Sequence, residues 1–502
     1  MSAPVTPPAT PPVTARALAH AVRSGELKAA AVVEASFARL SRVEPTLHAF
    51  LSLREDAARA RADEIDRAVA AGRDPGPLAG VPIAVKDNIV DRGGSATCAS
   101  KMLAPFVPTY DATVVERLRA AGAIVVGKAN LDEFAMGSST ENSAFGPSLN
   151  PWDPTRVPGG SSGGSAVAVA SGVTPVALGS DTGGSVRQPG SFCGLVALKP
   201  HYGHVSRYGL VAFASSLDQI GPFALDARDC ALVFDVISGF DPMDSTSSPH
   251  ECRIGPLALE RPVAGMRLGV PRTWLTEGLD AEVVRVMDET ECRFRDLGVD
   301  LVDVDLMPPR YAISTYYILA NAEASSNLAR FDGVRYGRRS AEARDLNSLY
   351  ERSRGEGFGP EVKRRILMGT FVLSSGYYDA YYAKAQRVRA LFKASFDATL
   401  NQVDAILMPT APTPAFVLGE KTEDPLSMYL SDIFTISANL VQNPAVSFPA
   451  GASTGGLPIG MQLYGRSRDE ATLLRLVAAH ERNYDGAGSA LAPGAPPTRA
   501  FA

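Results

Sequence analysis

The stretch from Pro158 to Pro200 constrains this chain more than any other feature. It is packed with Gly, Ser and small apolar residues, a composition most often found in flexible linkers. Yet its Gly/Ser clusters enclose two apolar segments, Ala166 to Ser171 and Val176 to Leu178, which a linker would not carry. Small residues in an apolar setting let backbone approach backbone, or backbone approach a substrate. The stretch is therefore expected to be buried.

The flanking sequence has a different grammar. Helical patterns cover Thr14 to Ser24 and Ala57 to Ala71, and Gly80 to Val85 reads as a short buried strand ending on Lys86 and Asp87. A helix at Ala112 to Ala121, stopped by Gly122, leads into an apolar strand at Ala123 to Gly127. The same unit recurs as helix Asp280–Leu297 with strand Val299–Val304, and as helix Ala385–Leu400 with strand Ala405–Met408. Strand Gly460–Tyr464 and helix Asp469–Tyr484 close the pattern, while Arg310 to Gly357 reads only as helix-rich. Alternating helices and short apolar strands predict an α/β fold, a mixed central β-sheet covered by helices on both faces. Residues 13–484 are expected to form one domain. The Pro-, Ala- and Gly-rich segments 1–12 and 485–502 are expected to be loosely ordered.

Composition narrows the function. Of 502 residues, 45% are hydrophobic and 21% charged, and 49 Lys and Arg against 54 Asp and Glu give a net charge of −5. Without a basic run, the chain is poorly equipped to hold a nucleic acid alone. Cys98, Cys193, Cys230, Cys252 and Cys292 show no metal-binding spacing and read as buried free thiols of a reducing compartment. Met1 to Val13 lacks the regions of a signal peptide, and no apolar run is long enough to span a bilayer, so a cytoplasmic protein is expected.

Two clusters carry candidate chemistry: Gly159-Gly-Ser161-Ser-Gly-Gly-Ser165 and Asp181-Thr-Gly-Gly-Ser185. A serine nucleophile needs a base, and attack on an amide needs donors for the oxyanion. Two glycines before Ser185 can turn successive N–H groups into one concavity. The first cluster formally matches the G-x-S-x-G nucleophile elbow, but that motif needs a strand before it. Three prolines between Asn150 and Pro158 argue against one. None of the six histidines, His20, His48, His201, His204, His250 and His480, lies in either cluster, and each reads most plainly as a surface or loop residue. A lysine made neutral by burial is the other possible base. Lys86 by itself reads as a common surface lysine.

A lysine at a strand end, then GGSSGGS, then DTGGS-x-R-x-P resembles the amidase signature family, with Lys86, Ser161 and Ser185 in that family's order and spacing. Within it the chain is most similar to the glutamine-hydrolysing A subunits of bacterial tRNA-dependent amidotransferases. The stretches Lys128–Glu141, Val205–Gln219, Asp241–Ser247, Val362–Ile366 and Ser374–Tyr381 carry that likeness. The resemblance implies the amidase signature fold, Ser185 as nucleophile, Ser161 after a cis peptide bond as proton relay, and neutral Lys86 as base. It implies an oxyanion hole of Thr182, Gly183 and Gly184 N–H groups, with Arg365 on a glutamine α-carboxylate and Asp432 on its α-amino group. Opposite charges suit a free amino acid.

The resemblance further implies a heterotrimer that converts Glu-tRNA(Gln) to Gln-tRNA(Gln). A tRNA-binding, kinase-like partner subunit would use ATP and Mg²⁺, a small bridging subunit would complete the assembly, and this chain would hold no cofactor. His201, His204 and Val441-Gln442-Asn443 depart from the family pattern. Two other readings are a stand-alone amidase for small amides and a non-catalytic scaffold subunit.

Overall fold

Eleven strands of the computed structural model send successive side chains to opposite faces of one sheet, and that alternation places every layer above and below it. The structure describes residues 14–250, 252–275 and 278–484; the loosely ordered ends expected of the chain fall outside these residues. In chain order the strands are β1 (Phe50–Leu53), β2 (Pro82–Lys86), β3 (Ile124–Ala129), β4 (Val176–Asp181), β5 (Val196–Lys199), β6 (Gln219–Ala224), β7 (Arg267–Val270), β8 (Asp300–Asp303), β9 (Ala405–Pro409), β10 (Ala445–Ala452) and β11 (Pro458–Gly465). They bond in the order β1-β3-β2-β4-β6-β5-β10-β11-β9-β7-β8. The pairs β3/β2, β2/β4, β9/β7 and β7/β8 are parallel and the others antiparallel. This is the mixed α/β sheet expected from the sequence.

The helices α1 (Ala15–Arg23), α2 (Ala29–Leu47), α3 (Glu55–Ala70), α4 (Thr113–Ala120), α5 (Gly163–Ala170), α6 (Arg187–Cys193), α7 (Ala227–Ile237) and α8 (Ala281–Asp296) precede or interleave the first strands. They are followed by α9 (Arg310–Asn327), α10 (Leu346–Gly357), α11 (Pro360–Leu373), α12 (Lys384–Leu400), α13 (Pro425–Leu430), α14 (Ile436–Val441) and α15 (Glu470–Arg482). One sheet face carries Ile83, Val85, Leu178, Leu407 and Met461, packed with Val114, Phe234, Phe294 and Val477 of α4, α7, α8 and α15. On the opposite face Ala84, Ala177 and Ala197 meet Ala166 and Ala168 of α5. Farther along that face Ile406 and Met408 meet Leu319 of α9 and Phe392 of α12. Alanine on both sides lets α5 lie close to the sheet. From Pro158 to Pro200 only Gly172 is exposed, so the Gly/Ser stretch is interior.

The helices and strands expected from periodicity form near their expected limits. Among the elements that periodicity does not reveal are α2, β6 and β10. Each contains a proline, Pro45, Pro222 and Pro449, and β6 and β10 contain glycines as well. These residues read as breakers when neighbours are unknown. The sheet accommodates Pro449 beside a register shift in the β10/β11 pairing.

Helix α11 reaches its place through Gly369. A methyl group there would collide with the Asn321 carbonyl of α9, so the two helices meet backbone to backbone. The contact fixes where Arg365, one turn earlier on α11, lies. Gly369→Ala is expected to lower stability by about 1–3 kcal/mol, as overpacking does in a close-packed interior. Urea unfolding measures it, and an unchanged midpoint would show that α11 shifts freely.

Candidate active site

Lys86 is the last residue of β2 and shares the α5-covered face with Ala84. It is fully buried. Its Nζ lies 2.7 Å from Ser161 Oγ, 2.8 Å from Ser162 Oγ and 3.3 Å from the Ser180 carbonyl. Burial disfavours the ammonium form and lowers the Lys86 pKa to about 7, against the pull of Asp132, Asp181 and Asp218. The surface lysine read from its local sequence is thus an interior amine next to two hydroxyls.

The two serine clusters meet around this amine. The Gly160–Ser161 peptide bond is cis, and the Gly160 N–H donates to Gln188 Oε1 at 2.9 Å. The Ser162 N–H donates to the Ser185 carbonyl at 3.2 Å, tying one cluster to the other. Loop, not strand, precedes Ser161, consistent with rejecting the nucleophile elbow. Ser185 sits between the end of β4 and the start of α6, in a crossover held by charge. Arg187 Nε and Nη2 each lie 3.1 Å from an Asp181 oxygen, and Asn439 Nδ2 donates to Asp181 Oδ1 at 2.9 Å. Arg187 Nη2 also donates to Asn439 Oδ1 at 2.7 Å, and Nη1 to Gln462 Oε1 at 3.1 Å. Burial opposes ionisation of Asp181, but Arg187, Lys199 and Asn439 together outweigh it and the pKa falls to about 2.

The glycine loop is equally pinned. Thr182 Oγ1 donates to Asp218 Oδ1 at 2.7 Å, and Thr435 Oγ1 donates to the Gly183 carbonyl at 2.7 Å. The Gly184 N–H donates to Asp181 Oδ1 at 2.8 Å. A Cβ on Gly183 would stand 2.7 Å from the Tyr316 ring, one on Gly184 would collide with Thr435, and Gly184 has φ of 136°. Only glycine fits either place. The three-donor expectation changes here: the anchored Asp181 carboxylate takes the Gly184 N–H. The N–H groups of Thr182 and Gly183 have no acceptor among the described residues.

Arg365 and Asp432 are buried, and the arginine lies within electrostatic reach of the Asp432 carboxylate and of Tyr316, the ring against Gly183. The Arg365 guanidinium lies 5.3 to 5.5 Å from the ring centres of Tyr317, Tyr429 and Phe213. Its Nε donates to Glu361 Oε1 at 2.8 Å, which keeps the buried cation charged despite desolvation. Asp432 Oδ2 accepts the Ser138 hydroxyl, whereas buried Oδ1 has no partner among the described residues. Burial raises the Asp432 pKa to about 7, opposed by Ser138 and Arg365. An orphaned carboxylate oxygen facing an arginine is a site that gains from a zwitterion.

The histidines are elsewhere. His204 Nδ1 lies 2.8 Å from Glu470 Oε1 of α15, and the His201 N–H donates to the same oxygen at 2.7 Å. His204 is a loop residue yet fully buried, and His480 is buried within α15, which corrects the surface-or-loop expectation for His480. Cys98, Cys193 and Cys230 are buried free thiols, but Cys252 is partly exposed and Cys292 exposed. Among the described residues no group of three or more His, Cys, Asp or Glu could hold a metal ion, and no helix is long and apolar enough to cross a membrane.

Sequence reasoning missed Ser162, Asp132, Asn439 and Thr435. Ser162 adjoins Ser161 within a cluster already singled out, so adjacency could have found it. Asn439 and Thr435 carry no local signal, because they reach the end of β4 and the glycine loop, respectively, from far along the chain. Asp181→Asn, which leaves the Arg187 charge unpaired inside, is expected to cost about 3–5 kcal/mol at neutral pH. The contribution is fully present above the ordinary carboxyl pKa of 3.8 and lost as pH falls through about 2. Unfolding of the variant at pH 7 checks it; wild-type stability would remove the pair from its anchoring role.

The sequence profile of the amidase family matches residues 31–474. The A subunit of the glutamyl-tRNA(Gln) amidotransferase of Carboxydothermus hydrogenoformans is 54% identical over 469 residues, covering 93% of this chain and 96% of that protein. Its counterpart in Geobacillus thermodenitrificans is 54% identical over 460 residues, covering 92% and 95%. The crystal structure of the same A subunit from Thermotoga maritima superposes with a TM-score of 0.80 at 42% identity, covering 97% of this chain and 98% of that one. Profile, sequence identity and superposition agree with one another, and the chain belongs to the amidase family of amide-hydrolysing enzymes.

Proposed function

We propose that this chain is the glutaminase subunit of a tRNA-dependent amidotransferase, hydrolysing glutamine to glutamate and supplying ammonia for the conversion of Glu-tRNA(Gln) to Gln-tRNA(Gln). The observation that carries the chemistry is a buried amine of pKa about 7 bonded to Ser161 Oγ at 2.7 Å. The substrate reading rests on the relatives, on Arg365, and on the unpartnered Asp432 Oδ1.

In this scheme neutral Lys86 takes the Ser161 proton while Ser161 takes the proton of Ser185. Ser185 Oγ attacks the glutamine side-chain carbonyl, and the N–H groups of Thr182 and Gly183 hold the oxyanion. The C–N bond breaks as the proton returns from Lys86 through Ser161 to the leaving nitrogen, releasing ammonia. Water, deprotonated along the same path, attacks the acyl-ester; the C–O bond to Ser185 breaks, the proton returns from Lys86 through Ser161 to Ser185 Oγ, and glutamate leaves. Arg365 holds the α-carboxylate and Asp432 the α-amino group, so the amide alone faces Ser185. Activation of the tRNA-linked carboxylate with ATP and Mg²⁺ is assigned to a tRNA-binding, kinase-like partner subunit. A small bridging subunit completes a cytoplasmic heterotrimer.

Ser185→Ala and Lys86→Ala are expected to abolish glutaminase activity of the assembled enzyme; full activity in either variant would overturn the scheme. The pH profile is a second test. Lys86 must be neutral to act and Asp432 ionised to bind an ammonium group, and both titrate near 7 in the free chain. The value of kcat/KM should therefore fall below about pH 7 more steeply than one ionisation allows. Asp432→Asn should raise KM for glutamine and reduce the fall to a single ionisation. A profile flat down to pH 5 would contradict both assignments.

A further inference from the structure

The peptide group between Gly183 and Gly184 is held at both ends. Its carbonyl accepts the Thr435 hydroxyl at 2.7 Å, and its N–H donates to Asp181 Oδ1 at 2.8 Å. Glycine on each side leaves the flanking torsions without a side-chain barrier, so an unpinned group would rotate as a unit. A change in either flanking torsion that the other does not compensate would shift the Gly183 N–H relative to Ser185.

The two pins differ in kind. Asp181 is itself anchored by Arg187 and Asn439. Thr435 is a single neutral hydroxyl, fully buried, on the segment that leads into α14. Its one proton can serve one acceptor. The Gly183 carbonyl at 2.7 Å is nearer than the Asp432 carbonyl at 3.1 Å. The Thr435 N–H donates to that Asp432 carbonyl at 3.0 Å, so the residue that pins the loop is tied to the backbone of the carboxylate beside Arg365.

We propose that Thr435 is a positioning residue for the reaction: its hydroxyl fixes the Gly183–Gly184 peptide and thereby holds the Gly183 N–H and Ser185 in register for attack on the amide carbonyl. The inference rests on the assignment of Ser185 and the glycine loop made above, and not on which amide is cleaved.

The test compares Thr435→Val with Thr435→Ser in the full-length chain, together with the subunits that co-purify with it. Valine keeps the shape and loses the hydroxyl; serine keeps the hydroxyl and loses the methyl. Thr435→Val is expected to lower kcat by about 10- to 100-fold, the scale of misplacing a reacting group by about 1 Å. KM is expected to stay within about twofold, because the residues that grip the substrate are untouched. Thr435→Ser is expected to restore most of kcat, even where its melting temperature is the lower of the two. A valine variant with wild-type kcat overturns the proposal, and so does a loss that serine fails to restore. Thr435→Ala carries the same test if the valine variant does not accumulate. Ser185→Ala, run alongside, separates the two readings. If it is active, the nucleophile assignment fails. If it is inactive while Thr435→Val is as fast as wild type, only the role of Thr435 fails.

Discussion

The buried ion pair between Asp181 and Arg187 holds the centre of this structure together. It joins the end of β4 to the first turn of α6 and reaches across to Asn439 and Gln462, which arrive from the last hundred residues. An ion pair with no access to water is tolerable only when its remaining lone pairs and protons are satisfied, and here Asn439, Gln462 and nearby backbone N–H groups satisfy them. Between the two charged residues, Gly183 and Gly184 have no side chains with which to hold the loop. Its shape is therefore borrowed from the pair beneath it and from Thr435 and Asp218 at its edges.

The same dryness sets the chemistry of Lys86. An amine on a strand end in water would be protonated at neutral pH and useless as a base. Enclosed beneath α5, it loses hydration that its serine neighbours only partly replace, and its charged form becomes costly. Asp132, Asp181 and Asp218 restrain the shift, so the amine sits near the midpoint of its titration, able to take a proton and give it back. Small residues make this possible: Ala84, Ala166, Ala168 and Ala177 let α5 press on the sheet and exclude water.

The clamp proposed for the amino acid is built on different principles. Arg365 stays charged in the interior because Glu361 pairs with it and three aromatic rings face it. Asp432 lacks an equivalent partner, and its pKa rises to about 7. The arginine half is satisfied within the chain; in the proposed function the Asp432 half is completed by the substrate's ammonium group. Helix α9 connects the clamp to the glycine loop, with Tyr317 stacked on Tyr429 at 3.9 Å and Tyr316 lying against Gly183.

By itself the sequence determined what local physics controls. Periodicity located α1, α3, α4, α8, α12 and α15 and the strands paired with them, because a repeat of 3.6 or 2 is a property of neighbours in the chain. It also marked Ser161, Ser185 and the glycines between them, since those residues fall in compact runs. Lys86, Arg365 and Asp432 were legible only through a family resemblance, for nothing in their own surroundings distinguishes them. Tertiary structure decided the rest. The proline-bearing β6 and β10 became strands because the sheet offered them partners on both sides. The Lys86 pKa fell to about 7 because burial disfavours its charged form, and the Gly184 N–H was drawn to Asp181 because Arg187 and Asn439 hold that carboxylate in place. Burial and long-range charge are sums over residues far apart in sequence, so no local reading can evaluate them.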